Sequence, residues 1–439
     1  MTDPKRIELS VKAERAVLIK VIRDGEQHDE NPFLELEKLS TTAGANIVGS
    51  LTQKRLKLDP VYYIGKGKVN ELADICAETK ANVIICDHDL NPTQVRNIEK
   101  ITDVNVIDRS ELILDIFATH ARTKQAKLQV ELAQSEYMLP RLKHLWGHLE
   151  RIEGGIGTRG PGEKQLEIDR RLAAKKIADL KKKLAKIEKS KQLELDSRKD
   201  FIKVSLVGYT NAGKSTLMNA LTGAGVLVED KLFATLDTKT KALELCKGKQ
   251  VLLSDTVGFI RKLPHHLVSS FNATLEETKH ADILIHVIDF SSSYFMEQIV
   301  SVDRVLKKLE CDEKPTIMVL NKADAVNDLS PAAILRKKHP DCLTISAHTG
   351  EGLDKLKEMI ITFLDRNSKD VELICNSDQG KFISKIFETL NVLSKTFEEN
   401  RVHMILRVTQ GQLNKLYKLR REFPNTEIII TENIEEKNE

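Results

Sequence analysis

Apolar residues follow two alternating patterns over the first 120 residues of the chain. Short runs rich in Val and Ile alternate with longer stretches in which apolar residues recur every three or four positions. The first pattern is typical of buried parallel strands and the second of amphipathic helices. The pattern predicts strands at 16–22, 46–49, 83–86 and 104–107, and helices at 70–79 and 92–101. Residues 1–120 are therefore expected to form an N-terminal α/β domain with a parallel sheet.

From residue 128 the spacing of apolar residues becomes that of two packed helices. A heptad run of apolar residues, interrupted by Ser135, covers positions 128, 132, 139, 142, 146 and 149, and a second run covers 173, 177, 180, 184 and 187. Residues 154–163 between them contain five Gly and one Pro, which do not continue a helix. Residues 121–199 are expected to form an antiparallel helical hairpin with a flexible tip.

The last two segments of the chain return to mixed patterns. In residues 200–367, predicted strands at 202–207, 251–254, 283–288, 316–320 and 343–345 alternate with helices, which is typical of a doubly wound domain. Residues 368–439 have the order β, α, β, β, α, β, which predicts a small ferredoxin-like α+β domain. The expected fold is therefore a multi-domain α/β protein.

Residues 208–215 read GYTNAGKS, which matches the phosphate-binding pattern GxxxxGK[ST] between a predicted strand and a predicted helix. Gly208 and Gly213 allow a tight turn whose N–H groups point at phosphates, and the following helix N-terminus adds positive potential. Lys214 would hold the β- and γ-phosphate oxygens, and the Ser215 hydroxyl would bind Mg²⁺. The other residues of the predicted nucleotide loop are Tyr209, Thr210, Asn211 and Ala212.

A second motif follows the next apolar strand at the carboxyl edge of the predicted sheet. It reads Asp255-Thr256-Val257-Gly258. The carboxylate of Asp255 is expected to hold Mg²⁺ through water, and the Gly258 N–H is expected to sense the γ-phosphate. A short DxxG motif is weak by itself, so its position after the phosphate-binding loop carries the prediction.

Two further strand ends predict the nucleotide base. The first carries Asn321, Lys322, Ala323 and Asp324, and the second carries Ser346, Ala347 and His348. A carboxylate accepts hydrogen bonds, so Asp324 can pair with the ring N–H and amino group of guanine, whereas adenine offers no donors there. Lys322 would pack over the base, Asn321 would tie its loop to the phosphate loop, and the second strand end would offer a backbone N–H to the guanine oxygen. The motifs together predict a GTP-binding site.

The residues leave several roles in the predicted hydrolytic site with more than one interpretation. Thr235, Thr238 and Thr240 all compete to be the threonine that reaches Mg²⁺. Phe259 follows DxxG where many GTPases have a water-orienting Gln, so we expect slow intrinsic hydrolysis assisted by a partner or an ion. The alternative is that Phe259 only packs in the core while another side chain orients the water. Asn211 either helps to hold K⁺ beside the phosphates or only hydrogen-bonds across its loop.

The composition is that of an ordinary globular protein, because 41% of the 439 residues are hydrophobic and 30% are charged. Lys and Arg total 68 against 65 Asp and Glu, so the net charge of +3 indicates no particular partner. The six Cys residues have no CxxC spacing, and no run reaches the roughly 18 apolar residues of a membrane span. We expect a soluble cytoplasmic protein with reduced, mostly buried thiols.

The positive charge is concentrated in the second hairpin helix. Residues 164–191 hold 11 Lys or Arg against 4 Asp or Glu, a net charge of +7. One interpretation is a solvated helix face, and the other is an RNA-binding surface, which the arginines around the glycine-rich tip favour. The candidate RNA contacts are Arg151, Arg159, Lys181, Lys182 and Lys183. Because only 5% of residues are aromatic, phosphate contacts are expected rather than base stacking.

The chain closely resembles the HflX family of ribosome-associated GTPases. The resemblance is carried by the motifs GYTNAGKST, FATLD, DTVGF, NKAD and SA, together with GGIGTRGPGE between two helices. The resemblance covers nearly the whole chain. It implies that Thr235 is the Mg²⁺ ligand beside Ser215, and that Lys214, Thr235 and Gly258 are catalytic. It also implies that the rest of FATLD belongs to the site for GTP or GDP, namely Phe233, Ala234, Leu236 and Asp237.

The resemblance further implies binding to the large ribosomal subunit, GTP hydrolysis stimulated there, and separation of stalled 70S ribosomes into subunits under stress. The hairpin and the N-terminal domain would then reach rRNA near the peptidyl-transferase centre. A second hypothesis is a GTP-regulated RNA-binding factor in large-subunit assembly, and a third is a signalling switch that acts on a protein. The basic hairpin favours the first two hypotheses. A monomer is expected.

Overall fold

The structure is a computed structural model, and its description covers the larger part of the chain. The described residues are 14–23, 31–142, 161–197, 201–223, 225, 232–233, 235, 237–246, 249–261, 277–366, 369–398, 400–408, 413, 416–417, 419–420 and 426–431. They form two compact units. As far as its residues are described, the first unit comprises 1–188, 229–237 and 262–273, and the second comprises 189–228, 238–261 and 274–439.

The first unit opens with a four-stranded parallel sheet covered by helices. Its elements are β1 (Arg15–Ile22), α1 (Leu34–Ala43), β2 (Asn46–Lys54), α2 (Lys66–Thr79), β3 (Val83–Cys86), α3 (Pro92–Thr102), β4 (Asn105–Ile107) and α4 (Arg109–His120). The strand order is β2-β1-β3-β4, and all three pairings are parallel. Apolar runs such as that of β3 are buried on both faces, which is why they predicted strands in a helix-covered sheet. The predicted parallel α/β fold of this region is confirmed.

Two helices of the predicted hairpin follow, and the second extends past residue 188, where the second unit begins. They are α5 (Lys124–Met138) and α6 (Pro161–Ser197). Leu128 and Leu132 of α5 pack in one apolar cluster with Ile177, Leu180 and Leu184 of α6, which are all heptad positions. Ion pairs at 2.8 Å join Glu131 to Lys176 and Glu136 to Lys181 beside this cluster.

The start of α6 differs from the sequence prediction. The helix begins at Pro161, inside the segment 154–163 that was expected to be a non-helical tip. Proline is tolerated in the first turn of a helix, where its missing N–H would have no intrahelical partner. The part of the tip before Pro161 lies outside the described residues, so the antiparallel turn stays a prediction.

The second unit contains a six-stranded sheet with helices on both faces. Its elements are β5 (Ile202–Gly208), α7 (Lys214–Thr222), β6 (Lys239–Cys246), β7 (Lys249–Asp255), β8 (Ile283–Asp289), α8 (Phe295–Lys308), β9 (Thr316–Asn321), α9 (Ser330–Lys338), β10 (Leu343–Thr344) and α10 (Leu353–Arg366). The strand order is β10-β9-β8-β5-β7-β6. Side chains of α7 and α10 share one core with the sheet, whereas those of α8 and α9 share another. This is a doubly wound α/β arrangement.

Strand β6 was absent from the sequence prediction. It pairs antiparallel with β7 at the edge of the sheet, and only Leu243 of its eight residues is buried. A strand with one buried side chain carries little hydrophobic pattern, so β6 depends on backbone hydrogen bonds to β7. The sheet is therefore mixed, with one antiparallel edge strand.

The end of the chain forms a separate antiparallel sheet. Its elements are β11 (Lys369–Asn376), α11 (Gly380–Thr389), β12 (Asn391–Glu398), β13 (Arg401–Val408) and β14 (Glu427–Thr431), in the strand order β12-β13-β11-β14. Alternate residues of β13 are buried, because one face of the sheet packs against apolar residues of α11 such as Phe382 and Ile386.

Five of the six cysteines are buried free thiols, and Cys246 is an exposed free thiol, as expected from their spacing. Among the described residues, no helix is both long and apolar enough to cross a membrane.

Candidate functional site

The phosphate-binding motif forms the connection between β5 and α7. Gly208 ends the strand, and Lys214 is the first residue of the helix, so the N-terminus of α7 faces the loop. Gly213 has a left-handed φ of 89°, and a Cβ atom there would lie 2.3 Å from Nδ2 of Asn321. Only glycine fits this position without displacing the Asn321 side chain.

Lys214 is buried, and its ammonium group folds back onto its own loop. The Nζ atom donates to the carbonyl oxygen of Tyr209 at 2.9 Å and to that of Gly208 at 3.3 Å. Burial lowers the pKa of Lys214 to about 8, and the nearby carboxylate of Asp255 opposes this shift. A bound phosphate would supply the missing negative charge to this buried cation.

Ser215 and Asp255 bring a hydroxyl and a carboxylate together at the carboxyl ends of β5 and β7. The Ser215 hydroxyl donates to Oδ2 of Asp255 at 2.6 Å, and Asp255 is fully buried. The next residue, Thr256, is also fully buried, and its hydroxyl donates to the Leu206 carbonyl oxygen at 2.6 Å. Hydroxyl and carboxylate oxygens are the ligand types that Mg²⁺ prefers, so this pair fits the expected metal.

Gly258 packs directly against the phosphate-binding loop. A Cβ atom on this glycine would lie 2.7 Å from Cα of Thr210 and 2.9 Å from Nζ of Lys214. The backbone on its carboxyl side is also attached to the loop, because Phe259 donates to Gly208 at 3.0 Å and accepts from Thr210 at 2.8 Å. Phe259 is 2% exposed, so its side chain packs in the core. This packing was one of the two interpretations of the residue from the sequence.

Asn321 connects the base-binding motif to the phosphate loop. Its Nδ2 donates to the Ala212 carbonyl oxygen at 2.9 Å, and its Oδ1 accepts from the Ala347 N–H at 2.9 Å. Lys322 has a left-handed φ of 64°, and its ammonium pairs with Asp289 at 2.7 Å. One side chain thus joins three of the predicted motifs.

Asp324 is held by a neighbour from the following motif. The Ser346 hydroxyl donates to Oδ1 of Asp324 at 2.5 Å, and this hydrogen bond is the main reason that the pKa of Asp324 is lowered. The carboxylate is therefore ionised at neutral pH and acts purely as an acceptor. His348, the last residue of that motif, is exposed.

The FATLD segment belongs to the first unit, whereas the other nucleotide motifs belong to the second. The buried ring of Phe233 packs edge-on against Phe117 of α4, with 4.7 Å between ring centroids. Asp237 accepts from the Thr123 hydroxyl at 2.5 Å and from the Thr123 N–H at 3.1 Å, at the start of α5. Thr235 is partly buried, and Ala234 and Leu236 lie outside the described residues.

Thr240 lies on strand β6. Its hydroxyl lies 2.9 Å from that of Ser254 and donates to Glu277 at 3.2 Å. A hydrogen-bonded hydroxyl can still turn to a metal ion, as is expected of Ser215, so Thr235, Thr238 and Thr240 all stay candidates.

The candidate RNA contacts are only partly described. Lys181, Lys182 and Lys183 are exposed on α6, but Lys181 pairs with Glu136 of α5. Arg151 and Arg159 lie outside the described residues.

Sequence reasoning missed two residues near the loop. The Tyr209 hydroxyl accepts from the Arg261 N–H at 2.8 Å, and the Arg261 guanidinium lies 5.9 Å from the ring centre of Tyr294. Buried His286 occupies the otherwise apolar strand β8, and burial, with Lys214 nearby, lowers its pKa to about 3. A polar residue within an apolar strand was the available signal for His286, whereas no local signal marked the Tyr209 contact.

Three family models match the chain in succession. Residues 30–118 match the N-terminal region of GTP-binding GTPases, residues 120–198 match their middle region, and residues 203–322 match a family described as 50S ribosome-binding GTPase. A solved structure of a GTP-binding protein from Sulfolobus solfataricus in complex with GDP is 26% identical, with a TM-score of 0.43 over 80% of this chain and 98% of that one.

Full-length relatives agree with these matches. GTPase HflX of Caldanaerobacter subterraneus subsp. tengcongensis is 45% identical over 404 residues, which cover 92% of each chain. GTPase HflX of Escherichia coli K12 is 41% identical over 390 residues, which cover 88% of this chain and 91% of that protein. The chain belongs to the HflX family of GTPases, and its second unit carries the P-loop GTPase domain.

Proposed function

We propose that this protein binds the large ribosomal subunit in its GTP form and separates stalled 70S ribosomes into subunits, acting as a monomer in the cytoplasm under stress. The observation that carries the proposal is the match of residues 203–322 to a family of 50S ribosome-binding GTPases. The 37-residue helix α6 supports it, because exposed lysines on a long helix suit contact with RNA phosphates.

The phosphate end of GTP binds at the loop between β5 and α7. Loop N–H groups and the N-terminus of α7 hold the phosphates, and Lys214 releases its own loop carbonyls to hold the β- and γ-phosphate oxygens. Ser215 and Thr235 would hold Mg²⁺, with Asp255 acting through water, and the bound ion would neutralise phosphate charge.

The base end of GTP binds at the loop after β9. Asp324, oriented by Ser346, accepts from the two guanine donors. The segment 346–348 would offer a backbone N–H to the guanine oxygen, although the N–H of Ala347 donates to Asn321 in this structure. Asn321 links this loop to the phosphate loop, so the two ends of the nucleotide bind at positions that a single side chain holds together.

The FATLD segment would carry the nucleotide state to the hairpin. Phe233 packs on α4, Asp237 hydrogen-bonds to the start of α5, and Thr235 lies between them along the chain. Coordination of Mg²⁺ by Thr235 would therefore couple the nucleotide state to both contacts. Asn211, with a left-handed φ of 62°, would place its amide oxygen near the phosphates to hold K⁺, and faster hydrolysis in K⁺ than in Na⁺ at equal ionic strength would identify that role.

We also propose that the chain has four domains, whose bounds follow from the sequence pattern. They are residues 1–120, 121–199, 200–367 and 368–439. The last is proposed to be ferredoxin-like, and its strand order β12-β13-β11-β14 supports that assignment.

Pelleting through sucrose with isolated subunits tests the proposal. We expect the protein to pellet with large subunits when a non-hydrolysable GTP analogue is bound, and to stay in the supernatant with GDP or with small subunits. Equal pelleting with both subunits would contradict it. Pelleting with immature large-subunit precursors alone would favour a role in subunit assembly.

A further inference from the structure

The residue after the DxxG motif cannot orient the attacking water in this protein. Phe259 and the next residue, Ile260, are each 2% exposed in the core. The side chain of Arg261 lies over the Tyr294 ring, with 5.9 Å from its guanidinium carbon to the ring centre. The three side chains that follow Gly258 are therefore directed elsewhere, although hydrolysis requires an oriented water.

Thr210 of the phosphate loop lies against Gly258, with its methyl group as the nearest side-chain atom. A Cβ atom built on Gly258 would lie 2.7 Å from Cα and 2.8 Å from Cγ2 of Thr210. Lys214 Nζ lies 2.9 Å from the same point. Thr210 thus lies beside the glycine expected to sense the γ-phosphate and the lysine expected to hold it.

The Thr210 hydroxyl is buried and has no hydrogen-bond partner among the described residues. Thr210 is 5% exposed, and within the described part of the chain its Oγ1 has no hydrogen-bond partner. Its backbone N–H is already used, since it donates to the Phe259 carbonyl oxygen at 2.8 Å. A buried hydroxyl without a partner destabilises a fold, so its presence in a substrate-binding loop points to a partner that arrives with the substrate.

We propose that the Thr210 hydroxyl hydrogen-bonds to the attacking water and orients it towards the γ-phosphorus of GTP. The water oxygen forms the new bond to phosphorus, the bond from phosphorus to the bridging oxygen breaks, and its electron pair stays on GDP. The water proton leaves on inorganic phosphate. The threonine hydroxyl accepts from the water and donates to a γ-phosphate oxygen, and it neither gains nor loses a proton overall.

This inference rests on the GTPase activity of the family and stands apart from the ribosome proposal, so its test uses the isolated full-length protein. Thr210→Val removes the hydroxyl and keeps the shape, whereas Thr210→Ser keeps the hydroxyl and removes the methyl group. We expect single-turnover hydrolysis at saturating GTP to fall roughly 10- to 100-fold in the valine variant and to stay within about threefold in the serine variant. Affinity for GDP and for a non-hydrolysable GTP analogue should stay within about threefold in both.

A second readout does not depend on turnover. GDP with aluminium fluoride mimics the transferring phosphoryl group with its attacking water, so Thr210→Val should lose binding of this complex while Thr210→Ser retains it. Hydrolysis in the valine variant at the wild-type rate would overturn the proposal. Equal losses in the two variants, or a matching loss of GDP affinity, would also overturn it, because both outcomes indicate a packing role.

Discussion

Asp324 and Ser346 form the hydrogen-bonded pair on which the proposed choice of base depends. The serine hydroxyl occupies Oδ1 of the carboxylate and lowers its pKa, so an ionised acceptor is present before the nucleotide binds. Guanine offers two donors to such an acceptor, and an amide at the same position would present a donor to them. We therefore expect guanine specificity to depend on this carboxylate.

We expect Asp324→Asn to weaken GTP binding about 100-fold, in line with the ~1.5–3 kcal/mol of a hydrogen bond to a charged group, and to favour xanthosine triphosphate. Competition of fluorescent nucleotides measures both affinities. Asp328→Asn is the matched control, since Asp328 also accepts from a serine, at 2.9 Å from Ser330 N–H, on the same loop. Unchanged GTP affinity in Asp324→Asn would remove this loop from the base site.

Lys214 predicts a pH dependence of nucleotide affinity. Its pKa of about 8 in the free protein lies below the ordinary value of 10.5, because the ammonium is buried. Phosphate charge favours the protonated form, so the pKa rises in the complex. Affinity for GDP should therefore be constant below about pH 7.5 and fall above pH 8, by at most about 1.4 kcal/mol per pH unit.

The same shift predicts that GDP binding takes up a proton at pH 8.5 and takes up almost none at pH 7. Calorimetry in two buffers that differ in ionisation enthalpy measures this uptake directly. Equal uptake at the two pH values would show that the free-protein pKa of Lys214 is not lowered.

At the scale of elements, the contact between Asp237 and α5 is the most informative. Its carboxylate accepts from two backbone N–H groups, those of Arg122 at 3.3 Å and Thr123 at 3.1 Å, and from the Thr123 hydroxyl. The same threonine begins α5, where its hydroxyl accepts from the Ala126 N–H at 3.1 Å. The FATLD segment therefore helps to fix the first turn of a hairpin helix.

Asp237→Ala should loosen that first turn, because two backbone donors lose their acceptor at a cost of roughly 1–3 kcal/mol. Hydrogen exchange followed by mass spectrometry should show faster exchange at residues 122–127 in Asp237→Ala than in Asp237→Asn, which keeps one carbonyl acceptor. If both variants exchange like the wild type, Asp237 does not support α5.

Strands that are buried on both faces were well predicted from the sequence, whereas a strand that is mostly exposed was not. Strand β8, with six of seven residues buried, is evident from its apolar run. Strand β6 has one buried residue, so only its pairing with β7 reveals it. The nucleotide motifs were predictable because their residue types follow from phosphate and guanine chemistry.

The packing of Phe233 on Phe117 and the contact of Tyr209 with Arg261 were not predictable from the sequence. Both join positions that are distant along the chain, and neither belongs to a local periodic pattern. Contacts between distant parts of the chain therefore decide which side chains pack together, and the local sequence pattern does not contain that information.

At the scale of the whole molecule, the segment 164–191 of α6 has a net charge of +7, against +3 for the chain. Lys182 and Lys183 are exposed there, whereas Lys181 is already paired with Glu136. A helix of this kind suits RNA phosphates, and affinity that depends on phosphates falls with salt because bound counterions are released.

Replacing Lys182 and Lys183 with Gln should weaken binding to large subunits and reduce the slope of log affinity against log salt by about 0.7–0.9 for each lysine that contacts a phosphate. Pelleting at several salt concentrations gives the slope. The matched control replaces Lys337 and Lys338 of α9, which are also adjacent and exposed. Identical slopes for the α6 variant and the wild type would place the RNA contact elsewhere.

Sedimentation of purified 70S ribosomes with this protein tests the central claim most directly. With GTP or a non-hydrolysable analogue, the account predicts conversion of the 70S peak into separate subunit peaks, with the protein on the large subunit. With GDP, the 70S peak should remain. An intact 70S peak with the protein bound in the presence of GTP would contradict the claim that it separates ribosomes.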